Sequence, residues 1–274
     1  MANYTVVGGQ GFIGSEIVKQ LEMGGHSVFV PEINDERLFT QSLGIVIDCA
    51  GYGDCQNDPL QVFKSNSLLL AEILEKSDFE KLLYISSTRL YMGQEKASEN
   101  DDLSVLSADK RRLFNLTKLV SEELCLLSDK DVVIIRLSNV YGLALNSPLF
   151  LPAITRNAIN NKQVDMYVTP EYEKDYVSVV DVADAACQLA AKAKLSQKIF
   201  NVASGMNTSA GEIADILSQE TGCNIDWHLG SVDEAFPKND ISAIQREIKY
   251  QPKNVLNDLR LMINEFKKSL SNQV

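Results

Sequence analysis

The sequence predicts an α/β fold: a doubly wound parallel sheet with helices on both faces, joined to a smaller, interleaved C-terminal cap. Three observations predict it. Short apolar, β-branched runs alternate with longer segments of helical period through the first half of the chain. A glycine-rich turn joins the first run to the first helical segment. Beyond about residue 145 the strict alternation gives way to helices separated by shorter runs.

Tyr4–Val7 reads as the first strand and 13–23 as the first helix, with Gly8-Gly9-Gln10-Gly11-Phe12-Ile13-Gly14 between them. Such a turn gathers unpaired backbone N–H groups and the positive end of the helix dipole at one spot, which suits a diphosphate. Gly8 permits the tight turn, Gly11 lets a pyrophosphate approach the main chain, and Gly14 lets helix and strand pack closely. This is the pattern of a Rossmann βαβ unit. Ser27–Val30 is the second strand, and Glu32 lies just past its end. In such a unit the tip of the second strand meets the adenosine ribose about 20 residues after the glycines. A carboxylate there accepts hydrogen bonds from both hydroxyls and repels a 2′-phosphate, which favours NAD over NADP. The alternative for Glu32 is a solvated surface side chain.

Ile45–Cys49, Lys81–Ser86 and Val132–Leu137 continue the sheet, with helices expected over 59–76 and 110–128. The twelve residues between Glu32 and Ile45 are too few for a full helix plus another strand, so this edge of the sheet is expected to be trimmed. Further on, Pro148-Leu149-Phe150-Leu151-Pro152 introduces a helix near 151–161, followed by a short run at 164–168 and a loop over Pro170–Asp175. Residues 181–194 and 210–221 read as helices, and Ile199–Val202 is placed to return to the sheet. The division expected is a dinucleotide-binding unit over 1–145, with a return strand within 176–202, and a cap over 146–274.

The chain has 274 residues and a formal net charge of −11, which argues against nucleic acid and anionic membrane surfaces as partners. No apolar run reaches membrane-spanning length, and the N-terminus passes straight into a strand, leaving no room for a signal peptide. The five cysteines (Cys49, Cys55, Cys125, Cys187, Cys223) are scattered without metal spacing, and there are two histidines. They read as reduced core residues of a cytoplasmic protein, and no metal site is expected.

The motifs, taken in order, resemble the extended short-chain dehydrogenase/reductase family, in its group of NAD-dependent nucleotide-sugar epimerases, dehydratases and reductases. The glycine turn and Glu32 are followed by Cys49-Ala50-Gly51, Asn66, Ser86-Ser87-Thr88-Arg89-Leu90-Tyr91 and Phe114-Asn115-Leu116-Thr117-Lys118. Arg136-Leu137-Ser138-Asn139-Val140-Tyr141-Gly142, Lys174-Asp175-Tyr176-Val177 and Phe200-Asn201-Val202-Ala203-Ser204-Gly205 complete the series. The resemblance implies NAD held by Gly8, Gly11, Phe12, Ile13, Gly14 and Glu32, with Cys49, Ala50, Gly51, Asn66 and Lys118 along the rest of the cofactor. It implies a nucleotide-linked sugar met by Ser87, Thr88, Asn139, Arg156 and Lys174.

In that family a tyrosine is the general acid/base, a lysine four residues later binds the nicotinamide ribose and lowers the tyrosine's pKa, and a Ser or Thr orients the reacting oxygen. Positions i and i+4 of a helix share a face, so both side chains reach one site. Lys118 and Ser87 fill two of these roles, but the tyrosine position is Phe114. Phenylalanine keeps the ring and cannot exchange a proton. Three explanations stand open: another proton carrier, a natural non-catalyst, or a Tyr→Phe change made to trap a complex. Thr88 and Arg89 stand where the family's 4,6-dehydratases carry an acid pair, which disfavours a dehydratase. Lys174 stands where an arginine is usual, and Phe236-Pro237-Lys238-Asn239-Asp240 offers no arginine for a substrate diphosphate. An NAD-dependent sugar epimerase or 4-ketoreductase is thus the leading reading, with a non-catalytic dinucleotide-binding regulator or scaffold as the alternative. The resemblance also implies a homodimer built on the helices at 59–76 and 110–128. Leu68, Leu69, Ala71, Ile73 and Leu74 on one, with Leu116, Leu119, Val120 and Leu124 on the other, cover more than one face.

Overall fold

The computed structural model describes residues 1–144, 149–228 and 234–271. The boundary expected between 145 and 146, and Pro148, lie outside the described residues. The chain opens with β1 (Asn3–Val7), α1 (Phe12–Met23) and β2 (Ser27–Phe29). The short connection that follows holds a single helical turn, α2 (Arg37–Thr40), before β3 (Ile45–Asp48). The edge is trimmed as the residue count requires.

The expected helix over 59–76 is broken. It forms α3 (Pro59–Phe63) and α4 (Leu69–Lys76), separated by a π-helical turn at Lys64–Leu68. At that turn Asn66 and Ser67 are buried, and the Asn66 carbonyl accepts hydrogen bonds from Tyr84 Oη (3.2 Å) and Ser121 Oγ (2.7 Å). A widened turn of this kind is where local hydrogen bonding has been diverted to another purpose. β4 (Lys81–Ser87) then runs into a 3-10 turn at Thr88–Tyr91, and α5 (Arg112–Leu127) leads to β5 (Val132–Leu137).

The second half comprises β6 (Asn139–Tyr141), α6 (Phe150–Asn160), β7 (Gln163–Met166), β8 (Glu173–Ser178), α7 (Val179–Ala191) and β9 (Ile199–Val202). After them come β10 (Asn207–Ser209), α8 (Ala210–Thr221), β11 (Asn224–Trp227), α9 (Ser242–Glu247) and α10 (Val255–Ser271). Two expectations are corrected here. The end of the Pro170–Asp175 loop is strand, because Lys174 and Asp175 pair with Thr208 and Asn207 of β10. The helix expected at 181 starts two residues earlier, where Ser178 caps it by accepting the Val180 N–H (3.2 Å).

The six-stranded sheet has the order β2-β1-β3-β4-β5-β9, with every neighbouring pair parallel. Ile199–Val202 does return to it, beside β5. Alternate residues of one apolar run serve opposite layers. Leu83, Ile85, Val133 and Ile135 pack with Ile17 of α1 and Ala186 of α7, whereas Leu82, Tyr84, Val132 and Ile134 pack with Leu70 and Ile73 of α4 and Cys125 of α5. A further core joins Leu151 and Ile154 of α6 to Ile213 and Leu217 of α8 and to Leu259 and Phe266 of α10. β6, β8 and β10 form a small mixed sheet beside it, and β7 pairs with β11.

The strand order reverses between β2-β1 and β3-β4, so the connections leaving the carboxyl ends of β1 and β3 diverge to opposite faces of the sheet and leave a crevice there. A polar network is buried under the far side of that crevice. Arg136 of β5 grips Glu122 of α5 (Nη2–Oε2 2.6 Å, Nε–Oε1 3.0 Å) and donates to Tyr91 Oη (2.6 Å). Ser86 Oγ also donates to Glu122. Among the described residues no helix is long and apolar enough to cross a membrane.

Candidate active site

At the crevice the chain leaves β1 and turns at Gly8, whose φ of 73° favours glycine. A Cβ on Gly8 would meet Ala50 N at 2.9 Å, and one on Gly14 would stand 2.3 Å from the Gly8 carbonyl oxygen. Helix α1 therefore rests directly on the turn. Its N-terminus carries no side-chain cap and no acidic residue in the first turn, so its N–H groups are free to meet an anion. Gly14→Ala must displace backbone, a clash worth about 1–3 kcal/mol. It is expected to weaken NAD binding about tenfold or more in a fluorescence titration; undiminished affinity would show that the turn does not hold the cofactor.

The crevice widens at the β2 side into a cavity of about 730 Å³, bordered by Gly8, Gly9, Gln10, Glu32 and Ala50. Gln10 Nε2 donates to Glu32 Oε1 (2.9 Å), so the glycine turn itself orients this carboxylate. Glutamine in a glycine loop gives no sequence signal for that contact. A second cavity, about 450 Å³, adjoins the first at Ala50. Its walls bring together Phe12, Ile13, Cys49, Gly51, Ser87, Phe114, Lys118, Asn139 and Lys174. Gly11, Gly14, Asn66, Thr88 and Arg156 line neither cavity.

Asn66 spends its amide on the chain: Oδ1 accepts the Tyr52 N–H (2.9 Å), while Nδ2 donates to Tyr52 O and Thr117 Oγ1 (both 3.1 Å). It fastens the loop after β3 to α5. Thr88 is buried in the 3-10 turn behind Ser87. Arg156 sits on α6, whose Leu151 and Pro152 reach the cavity wall.

Lys118 is buried, and its Nζ donates to Ile85 O (2.8 Å). It retains two further N–H donors. Burial pulls its pKa down to about 8, against the pull of Asp48 and Glu122, so it is a cation at neutral pH. Asp48, in turn, is pushed up to about 6 by burial, opposed by Lys118; its Oδ1 accepts the Ala50 N–H (3.0 Å) and its Oδ2 has no partner. Ser87 Oγ accepts the Arg89 N–H (3.1 Å), which leaves its own O–H to donate elsewhere. The Phe114 ring lies 6.0 Å from Lys118 Nζ and 4.5 Å from the Arg111 guanidinium.

A charged cluster flanks this end and was invisible in the sequence. Arg89 binds Asp109 (Nη2–Oδ1 2.8 Å) and Glu234 (Nη2–Oε1 2.6 Å), and Lys174 Nζ stands 3.7 Å from Glu234. Lys174 also lies over the rings of Tyr172 (4.9 Å) and Phe236 (5.0 Å). The members come from distant parts of the chain, and no local spacing announces them. With Arg89 in place of an acid, and its Nη1 and Nη2 engaged by carboxylates, the turn after Ser87 offers no acid pair.

The model of the NAD dependent epimerase/dehydratase family matches residues 4–203, which span both cavities' β-strand walls and the glycine turn. The chain belongs to that family. UDP-glucose 4-epimerase 2 of Arabidopsis thaliana is 23% identical, with 93% of this chain and 91% of that protein covered. The UDP-glucose 4-epimerase of Thermotoga maritima, solved with UDP-glucose, superposes with a TM-score of 0.83 at 20% identity, covering 98% of this chain and 99% of that one. The UDP-glucuronic acid 4-epimerase of Bacillus cereus, solved with UDP-glucuronic acid and NAD, gives 0.83 at 17% identity, with 98% and 99% covered. NAD is the cofactor of this epimerase/dehydratase family, and the glycine cradle, uncapped helix and Glu32 fit it.

Proposed function

We propose that this chain is a nucleotide-sugar oxidoreductase, an epimerase or 4-ketoreductase, whose turnover is held low by Phe114. The observation that carries the reading is the junction of the two cavities. The smaller one joins Ser87, Phe114 and Lys118 to Asn139 and Lys174, at the end of the groove that begins with the glycine turn and Glu32. When bound, NAD supplies a hydride acceptor and donor. Lys118 holds a cation beside Gly51, where an added Cβ would come within 3.8 Å of its Nζ, which supports its binding the nicotinamide ribose. Ser87 keeps an O–H to donate to a sugar oxygen, and Lys174 offers a point charge to a phosphate. Asn139 Nδ2 donates to Asp175 O (2.8 Å), which leaves its Oδ1 for a sugar hydroxyl.

The absent acid pair after Ser87 speaks against dehydration. The Phe114 ring favours a second reading, a dinucleotide-binding regulator that kept the groove and lost turnover. The test is a panel of UDP-, GDP-, CDP- and dTDP-sugars and their 4-keto forms, followed by nicotinamide absorbance and by NMR for epimerisation. Slow turnover of at least one is expected; NAD binding with no sugar bound or turned over would favour the regulator. A cytoplasmic setting belongs to this reading, and the five free thiols support it.

We also propose a homodimer. On α5, Leu116, Val120, Leu124 and Leu127 are exposed in one stripe, Leu127 by 82%, and Leu60, Phe63 and Leu68 are exposed near α3. Ile73, counted toward that surface in the sequence, faces the core instead. Apolar stripes of this extent call for a covering partner. Light scattering is expected to give a dimer and Val120→Asp a monomer; a monomer for the unaltered chain at micromolar concentration rejects the assembly.

A further inference from the structure

The adenosine end of the groove carries an arginine that is turned away from it. Glu32, Asp35 and Glu36 all border the larger cavity, and Arg37, next along the chain, does not. Asp35 N–H donates to Glu32 O (3.2 Å) and closes a turn that brings Arg37 beside both carboxylates. The Asp35 carboxylate then grips the guanidinium: Nε lies 2.9 and 3.1 Å from its two oxygens and Nη2 lies 2.6 Å from Oδ2. The same guanidinium rests over the Phe29 ring, 4.7 Å from its centroid. Hydrogen bonds from Arg37 hold the Asp35 carboxyl down to about 2, so the clamp is ionised at any working pH. Asp35's side chain is 9% exposed and Arg37's 59%, so the clamp is the packed member and the arginine the one with room to move.

A guanidinium beside the ribose end of a βαβ unit is the group that accommodates a 2′-phosphate, because its planar fork matches phosphate oxygens. Here that group is present but committed. We propose that Asp35 is a second determinant of cofactor choice: by clamping Arg37 against Phe29 it masks a guanidinium that would otherwise take the 2′-phosphate of NADP. Glu32 acts by repelling the phosphate, and Asp35 acts by withholding its partner. Neutralising Glu32 by itself therefore leaves the guanidinium committed, with Lys64 the cation that still borders the cavity. The proposal rests on the cofactor groove and is independent of which sugar, if any, the chain turns over.

The experiment measures dissociation constants for NAD and NADP by calorimetry on the full chain. The variants are Glu32→Gln, Glu32→Gln with Asp35→Asn, and that pair with Arg37→Gln added. The thermal unfolding midpoint reports on folding in every variant, and NAD affinity is expected to fall by a similar factor in all three, since each has lost the Glu32 carboxylate from the ribose. Adding Asp35→Asn is expected to tighten NADP at least about tenfold beyond Glu32→Gln, as one new charge-assisted contact allows. Adding Arg37→Gln is expected to return NADP to the level of Glu32→Gln. No gain from Asp35→Asn, or a gain that survives loss of Arg37, overturns the proposal. Failure of the unaltered chain to bind NAD overturns the groove and this proposal together.

Discussion

Phe114→Tyr is expected to raise nicotinamide-dependent turnover of a nucleotide sugar by about 10²-fold or more, the usual worth of a positioned acid/base. The ring at 114 already lines the smaller cavity with Ser87 and Lys118, so the change adds one hydroxyl where the wall exists. A phenol titrates near 10 in water, and a cation within about 4–6 Å lowers an acid by about 1–3 units. Two cations flank this ring: Lys118 Nζ at 6.0 Å and the Arg111 guanidinium at 4.5 Å. Lys118 keeps its proton up to about pH 8, so its help persists through neutrality and fades above that value. Substrate and NAD affinity should change little, because the Phe114 ring has no hydrogen bond to lose and its carbonyl keeps the one it accepts from Thr117 Oγ1. Both proteins would be assayed side by side on the same sugars. If the unaltered chain is already fast and the tyrosine adds nothing, a different group carries the proton and the role given to position 114 is wrong.

Arg136→Met is expected to destabilise the fold by about 3–5 kcal/mol, the cost of leaving a buried charge without its partner. Glu122 and Arg136 have side chains only 2% and 4% exposed, and once the guanidinium is gone the carboxylate keeps the Ser86 Oγ donor but no countercharge beside it. The loss also takes away the donor to Tyr91 Oη, which in turn donates to Asn201 (2.9 Å). Denaturant unfolding would measure it, and a midpoint unchanged from the parent would sink the assignment. Adding Glu122→Gln should recover part of the loss, because the pair and not either residue holds the site together. Cofactor affinity should fall as well. Glu122 lies one turn beyond Lys118 on α5, so loosening that helix loosens the lysine.

The two predictions differ in how much of their basis was visible before folding. Phe114 and Lys118 sit four residues apart on one helix, and their meeting follows from helical geometry. Arg136 and Glu122 meet only because β5 packs beside α5, and nothing in their spacing announces it. The same contrast runs through the groove. Gly8, Gly14 and Glu32 belong to one local βαβ unit, whose intervals are set by the rise of a strand and a helix, and they stand where the spacing puts them. Asn66 and Arg156 are assigned to the site by resemblance alone. The first is spent on holding Tyr52, and the second lies off the cavity wall.

Periodic features came through the sequence because they are local. Apolar runs buried on both faces, the glycine turn and the i, i+4 pair each depend on neighbours within a few residues, so composition and spacing determine them. The break at Lys64–Leu68 did not come through, since hydrogen bonds from Tyr84 and Ser121 decide it. Nor did the three-residue strands β6 and β10, which are too short to show a period and exist by pairing with β8. The charged cluster of Arg89, Asp109, Lys174 and Glu234, and the turning of Arg37 onto Asp35 and Phe29, were decided by tertiary structure. Ion pairs and ring contacts cost no particular sequence interval; they form wherever packing brings the groups within reach, and only the folded chain says where that is.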